Sequence, residues 1–228
     1  MRTRKRPIIA IDGPSGAGKT SVSKTLAARL GFTYIDTGAM YRSVGYLADR
    51  AGLLPEPTPA LAELLDDLQI RFEPREDGQT IFANGEDMTA IIREHRVSKL
   101  ASDFSAIPMV REKLIAIQRA LGRDGGVVME GRDIRNERFP DAELKVFLTA
   151  IPEERARRRY LELAQKNPAF FFDDVLADQA KRDENDSTRA VNPLRAAEDA
   201  WMLDSSNINL ESVVDEIARR AHQIMRSA

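Results

Sequence analysis

Short runs of apolar residues alternate along this chain with longer segments in which apolar residues recur every three or four positions. The runs have the four or five residues of a short buried strand, and they cover residues 8–11, 32–36, 127–130, 144–148 and 200–204. The segments between them have the spacing of amphipathic helices. Because helices join the strands of a parallel sheet, this alternation predicts an α/β fold with a doubly wound parallel sheet.

One segment departs from the alternation. Pro55, Pro57 and Pro59 interrupt the helical pattern, since proline cannot continue a helix. Two apolar stretches then flank Asp77-Gly78, which is typical of a β-hairpin. We therefore predict a core domain of residues 1–58 and 96–228, interrupted by a small α+β insertion over residues 59–95.

The composition argues against several classes of function. The chain has 228 residues, a formal net charge of −2 and no cysteine. A nearly neutral chain gives no electrostatic reason to expect binding to nucleic acid or to a membrane. Without cysteine it forms neither a disulfide nor a thiolate metal site. We expect a cytoplasmic protein that is a monomer.

The most specific motif follows the first apolar run. Residues Gly13-Pro14-Ser15-Gly16-Ala17-Gly18-Lys19-Thr20 match the pattern G-x-x-x-x-G-K-[ST] at every position, and Ser21 follows. The glycines allow backbone N–H groups to surround a phosphate chain at the positive end of the next helix. Lys19 can reach the β- and γ-phosphates, and the Thr20 hydroxyl can bind Mg²⁺. The sequence therefore predicts a nucleoside triphosphate site at residues 13–21.

A second group for Mg²⁺ is expected at the end of an apolar strand near such a loop. Glu130 ends the third run, and its carboxylate can hold the ion through water. The N-K-x-D tetrapeptide that recognises guanine is absent, which argues against a switch GTPase. A motor or transport ATPase and a small-molecule kinase both remain open on the loop alone.

Four arginines indicate the nature of a second substrate. Each lies beside a predicted loop on the ligand-binding face of the sheet; they are Arg42, Arg132, Arg182 and Arg189. Guanidinium groups relieve the repulsion between two anions and hold phosphate oxygens bidentately, so we infer an acceptor that itself carries a phosphate. The charged stretch 181–189 lacks a core-forming pattern. We interpret it as part of a lid, over about residues 170–193, that excludes water during transfer.

Four blocks of the sequence resemble bacterial cytidylate kinases. They are the loop at 13–20, Asp-Thr-Gly-Ala-Met-Tyr-Arg at 36–42, Gly-Arg-Asp-Ile at 131–134, and the lid spacing of Arg182, Asp183, Asp186, Arg189, Pro193 and Leu194. The resemblance extends from about residue 7 to residue 226. It implies a P-loop NTPase fold with five parallel strands in the order 2-3-1-4-5 and a nucleoside-monophosphate-binding insertion. The implied reaction is the phosphorylation of CMP, and of dCMP, by ATP with Mg²⁺.

The resemblance also implies roles for individual residues. It assigns the CMP phosphate to Arg42, Arg132 and Arg189, and the cytosine edge to Ser102, Arg111 and Asp133. It places Arg182 and Asp186 near the ribose, and Thr37 near the nucleoside. In the closed enzyme Arg182 and Arg189 would bridge the two phosphates. The catalytic residues would then be Lys19, Arg132, Arg182 and Arg189.

The sequence departs from the family pattern at several positions, and one of these departures affects the shape of a loop. Arg135-Asn136 stands where the family often has Gly-Thr, so the shape of this loop is open. A helix arginine, Arg155 or Arg159, is a candidate for stacking on adenine, with a solvated helix face as the alternative. The alternative functions are another small-molecule kinase, for uridylate or shikimate, and a regulatory module that binds ATP without being a kinase.

Overall fold

The computed structural model describes residues 4–75, 78–132, 139–165, 170–188, 194–196 and 198–228. The chain divides into two compact units. The first contains Met1–Tyr34 and Asp124–Ala228, and the second contains Ile35–Arg123. In the described part of the chain, no helix is both long enough and apolar enough to cross a membrane.

The described strands and helices follow the predicted alternation. The strands are β1 (Ile8–Asp12), β2 (Thr33–Asp36), β3 (Ile70–Arg75), β4 (Gly78–Ala83), β5 (Glu86–Asp87), β6 (Val127–Gly131), β7 (Leu144–Thr149) and β8 (Trp201–Asp204). The helices are α1 (Lys19–Leu30), α2 (Thr37–Arg50), α3 (Pro59–Asp66), α4 (His95–Ser105), α5 (Pro108–Gly122), α6 (Pro152–Ala164), α7 (Phe172–Thr188) and α8 (Leu210–Ser227). A short 3₁₀ helix covers Ile91–Arg93.

The main sheet has the predicted strand order. Its five strands are ordered β2-β6-β1-β7-β8, which is 2-3-1-4-5 when only the strands of this sheet are numbered. The pairs β1–β6, β1–β7 and β7–β8 are parallel. The prediction of a five-stranded parallel sheet is therefore confirmed.

The middle strands are buried because helices cover both faces of a parallel sheet. Every residue of β1 and of β6 is buried. On one face the core joins Ile9 and Ile11 of β1 to Leu26 of α1 and to Val214 and Ile217 of α8. This packing fixes the carboxyl end of β1 and the start of α1, and the phosphate loop connects those two points.

The second unit contains the predicted hairpin. Strands β3 and β4 pair antiparallel, with Ile70 opposite Ala83 and Phe72 opposite Ile81, while the predicted turn residue Asp77 lies outside the described residues. The two-residue strand β5 extends this sheet, and the sequence pattern did not predict it. The range 59–95, predicted as an insertion, lies in one compact unit with α2 and α5.

The charged stretch after residue 180 continues a helix. Helix α7 runs without a break through Thr188, and in its described part Val175 and Gln179 are the buried residues. Because most of the helix faces solvent, it has no apolar stripe from which its length could be predicted. The end of the predicted lid, residues 189–193, lies outside the described residues.

Candidate functional site

The phosphate loop requires glycine for two different reasons. A Cβ on Gly13 would lie 1.9 Å from the carbonyl oxygen of Leu148 on β7, so only glycine allows the loop to leave β1 against that strand. Gly16 has φ +77°, and a Cβ there would lie 2.8 Å from the Arg155 carbonyl oxygen. Gly18 caps α1 in the left-handed conformation, and Thr20 and Ser21 lie in the first turn of that helix. The sequence-predicted residues 13–21 thus form one continuous loop and helix start.

Lys19 is a buried cation at this loop. Its Nζ donates a hydrogen bond to the Pro14 carbonyl oxygen at 2.7 Å. Burial is the largest cause of a lowered Lys19 pKa, and the positive charges of Arg132 and Arg182 add to it, while the Glu130 carboxylate opposes them. Together these effects lower the pKa from 10.5 to about 7. Two other predicted catalytic residues, Arg132 and Arg182, therefore lie near enough to Lys19 for their charges to act on it.

Glu130 receives two hydroxyl donors at the end of β6. The Thr20 hydroxyl lies 2.9 Å from one carboxylate oxygen and 3.2 Å from the other. The Tyr34 hydroxyl on β2 also donates to the carboxylate. Oxygen ligands of this kind suit Mg²⁺, so the two residues predicted for the metal lie side by side and fit the ion. Asp12, fully buried at the end of β1, adds a second carboxylate close enough to raise the Lys19 pKa.

Arg132 and α7 are joined by an ion pair. The Nε of Arg132 donates to an Asp186 carboxylate oxygen, and Arg182 lies one turn earlier on the same helix. Three residues assigned to CMP thus belong to one cluster in the first unit. Two further predicted site residues, Asp133 and Arg189, lie outside the described residues.

Arg155 does not lie on a solvated helix face. It is 5% exposed, and its guanidinium donates to the carbonyl oxygens of Ala150 and Ser15, each at 3.0 Å. It also pairs with Asp183 at 2.7 Å. The alternative of a solvated helix face is therefore wrong for Arg155, while the stacking of Arg155 or Arg159 on adenine stays a prediction. Arg159 is the more exposed of the two candidates, and it pairs with Glu162.

In the second unit, the predicted site residue Arg42 forms an ion pair with a residue close to it in the sequence. The Asp36 carboxylate caps α2 by accepting from the Ala39 N–H at 2.8 Å, and its other oxygen accepts from Arg42 at 2.9 Å. The cap explains why α2 begins at Thr37, which is buried. Asp36 therefore both caps the helix and orients the Arg42 guanidinium.

Two more predicted residues lie on α4 and α5 of the same unit. Arg111 is 3% exposed, with its guanidinium carbon 6.0 Å from the Tyr41 ring centroid and one nitrogen 3.3 Å from the Ser105 carbonyl oxygen. Ser102 is exposed, one turn before Ser105. The second unit therefore contains Arg42, Thr37, Ser102 and Arg111, and the first contains the remaining predicted residues that are described.

Sequence reasoning missed Asp12 and Tyr34, and it named Arg155 as a candidate without predicting that this residue is buried. Asp12 had a usable signal, since it is a charged residue at the end of an apolar run directly before Gly13. Tyr34 lies in an apolar strand, where a tyrosine is as easily explained by packing. Arg155 is one of four arginines within residues 155–159, and nothing local distinguishes the buried one.

Comparisons with known proteins identify the relatives of this chain. The family model described as cytidylate kinase matches residues 9–223. A cytidylate kinase of Geobacter sulfurreducens is 49% identical over 214 residues, which cover 94% of this chain and 92% of that protein. One of Caldicellulosiruptor bescii is 44% identical, with 98% and 99% covered. Among solved structures, an uncharacterized protein of Eubacterium ventriosum shares the fold with a TM-score of 0.52 at 14% identity, covering 96% of this chain and 99% of that one. With a family model spanning nearly the whole chain and full-length relatives at this identity, the chain belongs to the cytidylate kinase family.

Proposed function

We propose that this protein transfers the γ-phosphoryl group of ATP to the phosphate of CMP, forming ADP and CDP, with dCMP as a second acceptor. The observation that carries the proposal is a buried Lys19 at a phosphate loop, with Arg132 and Arg182 near enough for their charges to lower its pKa. Two anionic substrates repel each other, and a site that brings them together needs several fixed cations. Since both substrates are nucleotides of the cytoplasm, we place the activity there.

The donor half of the site is the loop at 13–21. Its backbone N–H groups would bind the ATP phosphates, and Lys19 would neutralise charge on the β- and γ-phosphates. Thr20 and Glu130 would hold Mg²⁺, which supplies further charge neutralisation on the transferring group. Tyr34 keeps the Glu130 carboxylate oriented by its hydrogen bond. No side chain needs to act as a nucleophile, because positioning and electrostatics account for this chemistry.

The residues that we assign to the acceptor are those that the family resemblance implies. We assign the CMP phosphate to Arg42, Arg132 and Arg189, and the cytosine edge to Ser102, Arg111 and Asp133. Arg182 and Asp186 would lie near the ribose, and Thr37 near the nucleoside. Arg182 and Arg189 would bridge donor and acceptor phosphates. Residues 59–95 would belong to the CMP-binding domain, and residues 170–193 would form the lid.

Base selectivity follows from hydrogen-bonding chemistry. Cytosine carries an exocyclic amino donor that a carboxylate such as Asp133 can accept, while its carbonyl oxygen and ring nitrogen accept from Arg111 and Ser102. Uracil would present a carbonyl to Asp133, which leaves two acceptors facing each other. A mismatch of this kind, when buried, costs about 1–3 kcal/mol, or about 5- to 150-fold in selectivity.

The proposal is tested by ADP formation with Mg-ATP and one acceptor at a time. The acceptors are CMP, dCMP, UMP, AMP and shikimate. We expect strong turnover with CMP and dCMP and little with UMP, and a reduced preference for CMP over UMP in Asp133→Ala. Asp178→Ala, an exposed carboxylate on α7, is the matched control. Turnover with UMP or shikimate instead would replace the proposed acceptor, and acceptor-independent hydrolysis would indicate a regulatory module.

A further inference from the structure

Arg155 on α6 is a buried cation whose guanidinium reaches three separate parts of the first unit. Its Nε donates to the Ala150 carbonyl oxygen at the end of β7. One terminal nitrogen donates to the Ser15 carbonyl oxygen in the phosphate loop, and the other pairs with the Asp183 carboxylate on α7. The rigid fork of a guanidinium suits this arrangement, because its donors point in fixed directions.

The phosphate loop and α7 also pack closely around the backbone of Arg155. Buried Gln179 on α7 donates to the Arg155 carbonyl oxygen at 3.3 Å. A Cβ on Gly16 would lie 2.6 Å from the Gln179 side-chain nitrogen, so the loop leaves no space between itself and the helix. The position of the loop and the position of α7 are therefore set by the same small group of contacts.

The carboxylate that Arg155 holds is adjacent to a proposed catalytic residue. Asp183 follows Arg182 directly in α7. Further along the helix, Asp186 accepts from Arg132. Helix α7 is thus held at two points, by Arg155 through Asp183 and by Arg132 through Asp186. Arg182, on the same helix, is near enough to Lys19 for its charge to lower the pKa of that lysine.

We propose that Arg155 is a positioning residue that links the ATP phosphate loop to α7 and thereby places Arg182 for phosphoryl transfer. The inference rests on the proposed function for its kinetic consequence. The link runs from the Ser15 carbonyl oxygen through the guanidinium to Asp183. Arg155 needs no contact with substrate for this role, since its donors already serve protein acceptors.

The first test truncates the link at Asp183, which is less buried than Arg155. In Asp183→Ala, Arg155 keeps both carbonyl partners, so we expect the ATP dissociation constant to change less than about threefold. We expect kcat to fall about tenfold or more, because Arg182 loses its fixed position and the charge-assisted hydrogen bond is lost. Asp183→Asn retains an oxygen that accepts from the guanidinium and should recover most of kcat. Asp178→Ala, on the exposed face of α7, should match the unmodified protein.

A double-mutant cycle separates positioning from a general loss of structure. If Asp183 acts through Arg182, adding Asp183→Ala to Arg182→Ala lowers kcat by less than about twofold further. A merely structural role would give independent effects that multiply. Multiplying effects, or a normal kcat in Asp183→Ala, would overturn the proposal.

A third measurement does not depend on the acceptor. Amide hydrogen exchange of residues 172–188 is recorded with and without ATP in the unmodified protein and in Asp183→Ala. We expect ATP to slow exchange in α7 of the unmodified protein, and this protection to be lost in the variant although ATP still binds. Equal protection in both would contradict the link. If CMP supported no turnover in the unmodified protein, the proposed function would fail while this measurement still tested the inference.

Discussion

ATP binding should be accompanied by the uptake of a proton by Lys19. Burial and the charges of Arg132 and Arg182 hold its pKa at about 7 in the protein without nucleotide. Triphosphate oxygens next to the Nζ would stabilise the ammonium form and raise this pKa well above 8. The protonated fraction without nucleotide is about 0.1 at pH 8, 0.5 at pH 7 and 0.9 at pH 6. Binding should therefore take up about 0.9, 0.5 and 0.1 protons at these three pH values.

Titration calorimetry measures this number directly. The binding enthalpy of Mg-ATP, without acceptor, is recorded at each pH in buffers of different ionisation enthalpy, and the slope gives the protons taken up. Lys19→Arg is the matched control, because an arginine stays protonated throughout and should show no uptake from this position. Uptake below about 0.2 at both pH 8 and pH 9 would refute the reasoning, since Lys19 would then be charged already without nucleotide.

The lowered pKa of Lys19 also makes the free energy of unfolding depend on pH. The unfolded chain, with a lysine pKa of 10.5, binds more protons than the folded protein between about pH 7 and 10.5. The contribution of Lys19 to the free energy of unfolding therefore rises with pH in that window, and its unfavourable effect is complete below about pH 7. The difference corresponds to about 5 kcal/mol as an upper limit. Lys19→Met should be more stable than the unmodified protein at pH 7 and lose that advantage towards pH 10, as denaturant unfolding would measure.

Three further predictions concern single contacts. Gly16→Ala should lower the free energy of unfolding by about 1–3 kcal/mol and weaken ATP binding, because the new Cβ meets Gln179 at a positive φ; unchanged melting and affinity would contradict this. Tyr34→Phe removes one hydroxyl donor from Glu130 and should raise the Mg²⁺ concentration needed for half-maximal turnover about tenfold, whereas an unshifted titration would show that Tyr34 only packs. Asn209→Ala removes the N-terminal cap of α8, and it should lower the free energy of unfolding by about 1 kcal/mol with turnover unchanged. Equal stability of the variant and the unmodified protein would show that the cap does not stabilise the helix.

The parts of the fold with strong periodicity could be predicted from the sequence. All five strands of the main sheet were predicted, because buried strands of a parallel sheet appear as apolar runs between helical segments. Strand β5, Glu86–Asp87, has two charged residues and no apolar alternation, so only its pairing with β4 defines it. The continuation of α7 to Thr188 could not be predicted, since an exposed helix leaves no stripe of apolar residues.

Part of the candidate site could likewise be predicted from the sequence, and part could not. Residues 13–20 could be located because their conformation is set locally by glycines and by the start of α1. Thr20 and Glu130 were both predicted for Mg²⁺, Glu130 because it ends an apolar strand expected near the loop. The structure brings these two residues within hydrogen-bonding distance. The role of Arg155 could not be predicted, because its partners lie 5, 28 and 140 positions away in the chain. Only tertiary packing decides which arginine of that helix becomes buried.

Charged residues connect helix α7 to the phosphate loop. Lys19, Arg132 and Arg182 repel one another, and such a cluster is unfavourable unless carboxylates or phosphates lie nearby. Helix α7 supplies one of these carboxylates, Asp186, to Arg132, and it supplies another, Asp183, to Arg155. Phosphate oxygens bound at the loop would compete with Asp186 for Arg132, but they would leave the Arg155–Asp183 pair intact. Bound phosphate would then hold α7 through Arg182, while the Arg155–Asp183 pair would keep the register of the helix on the loop.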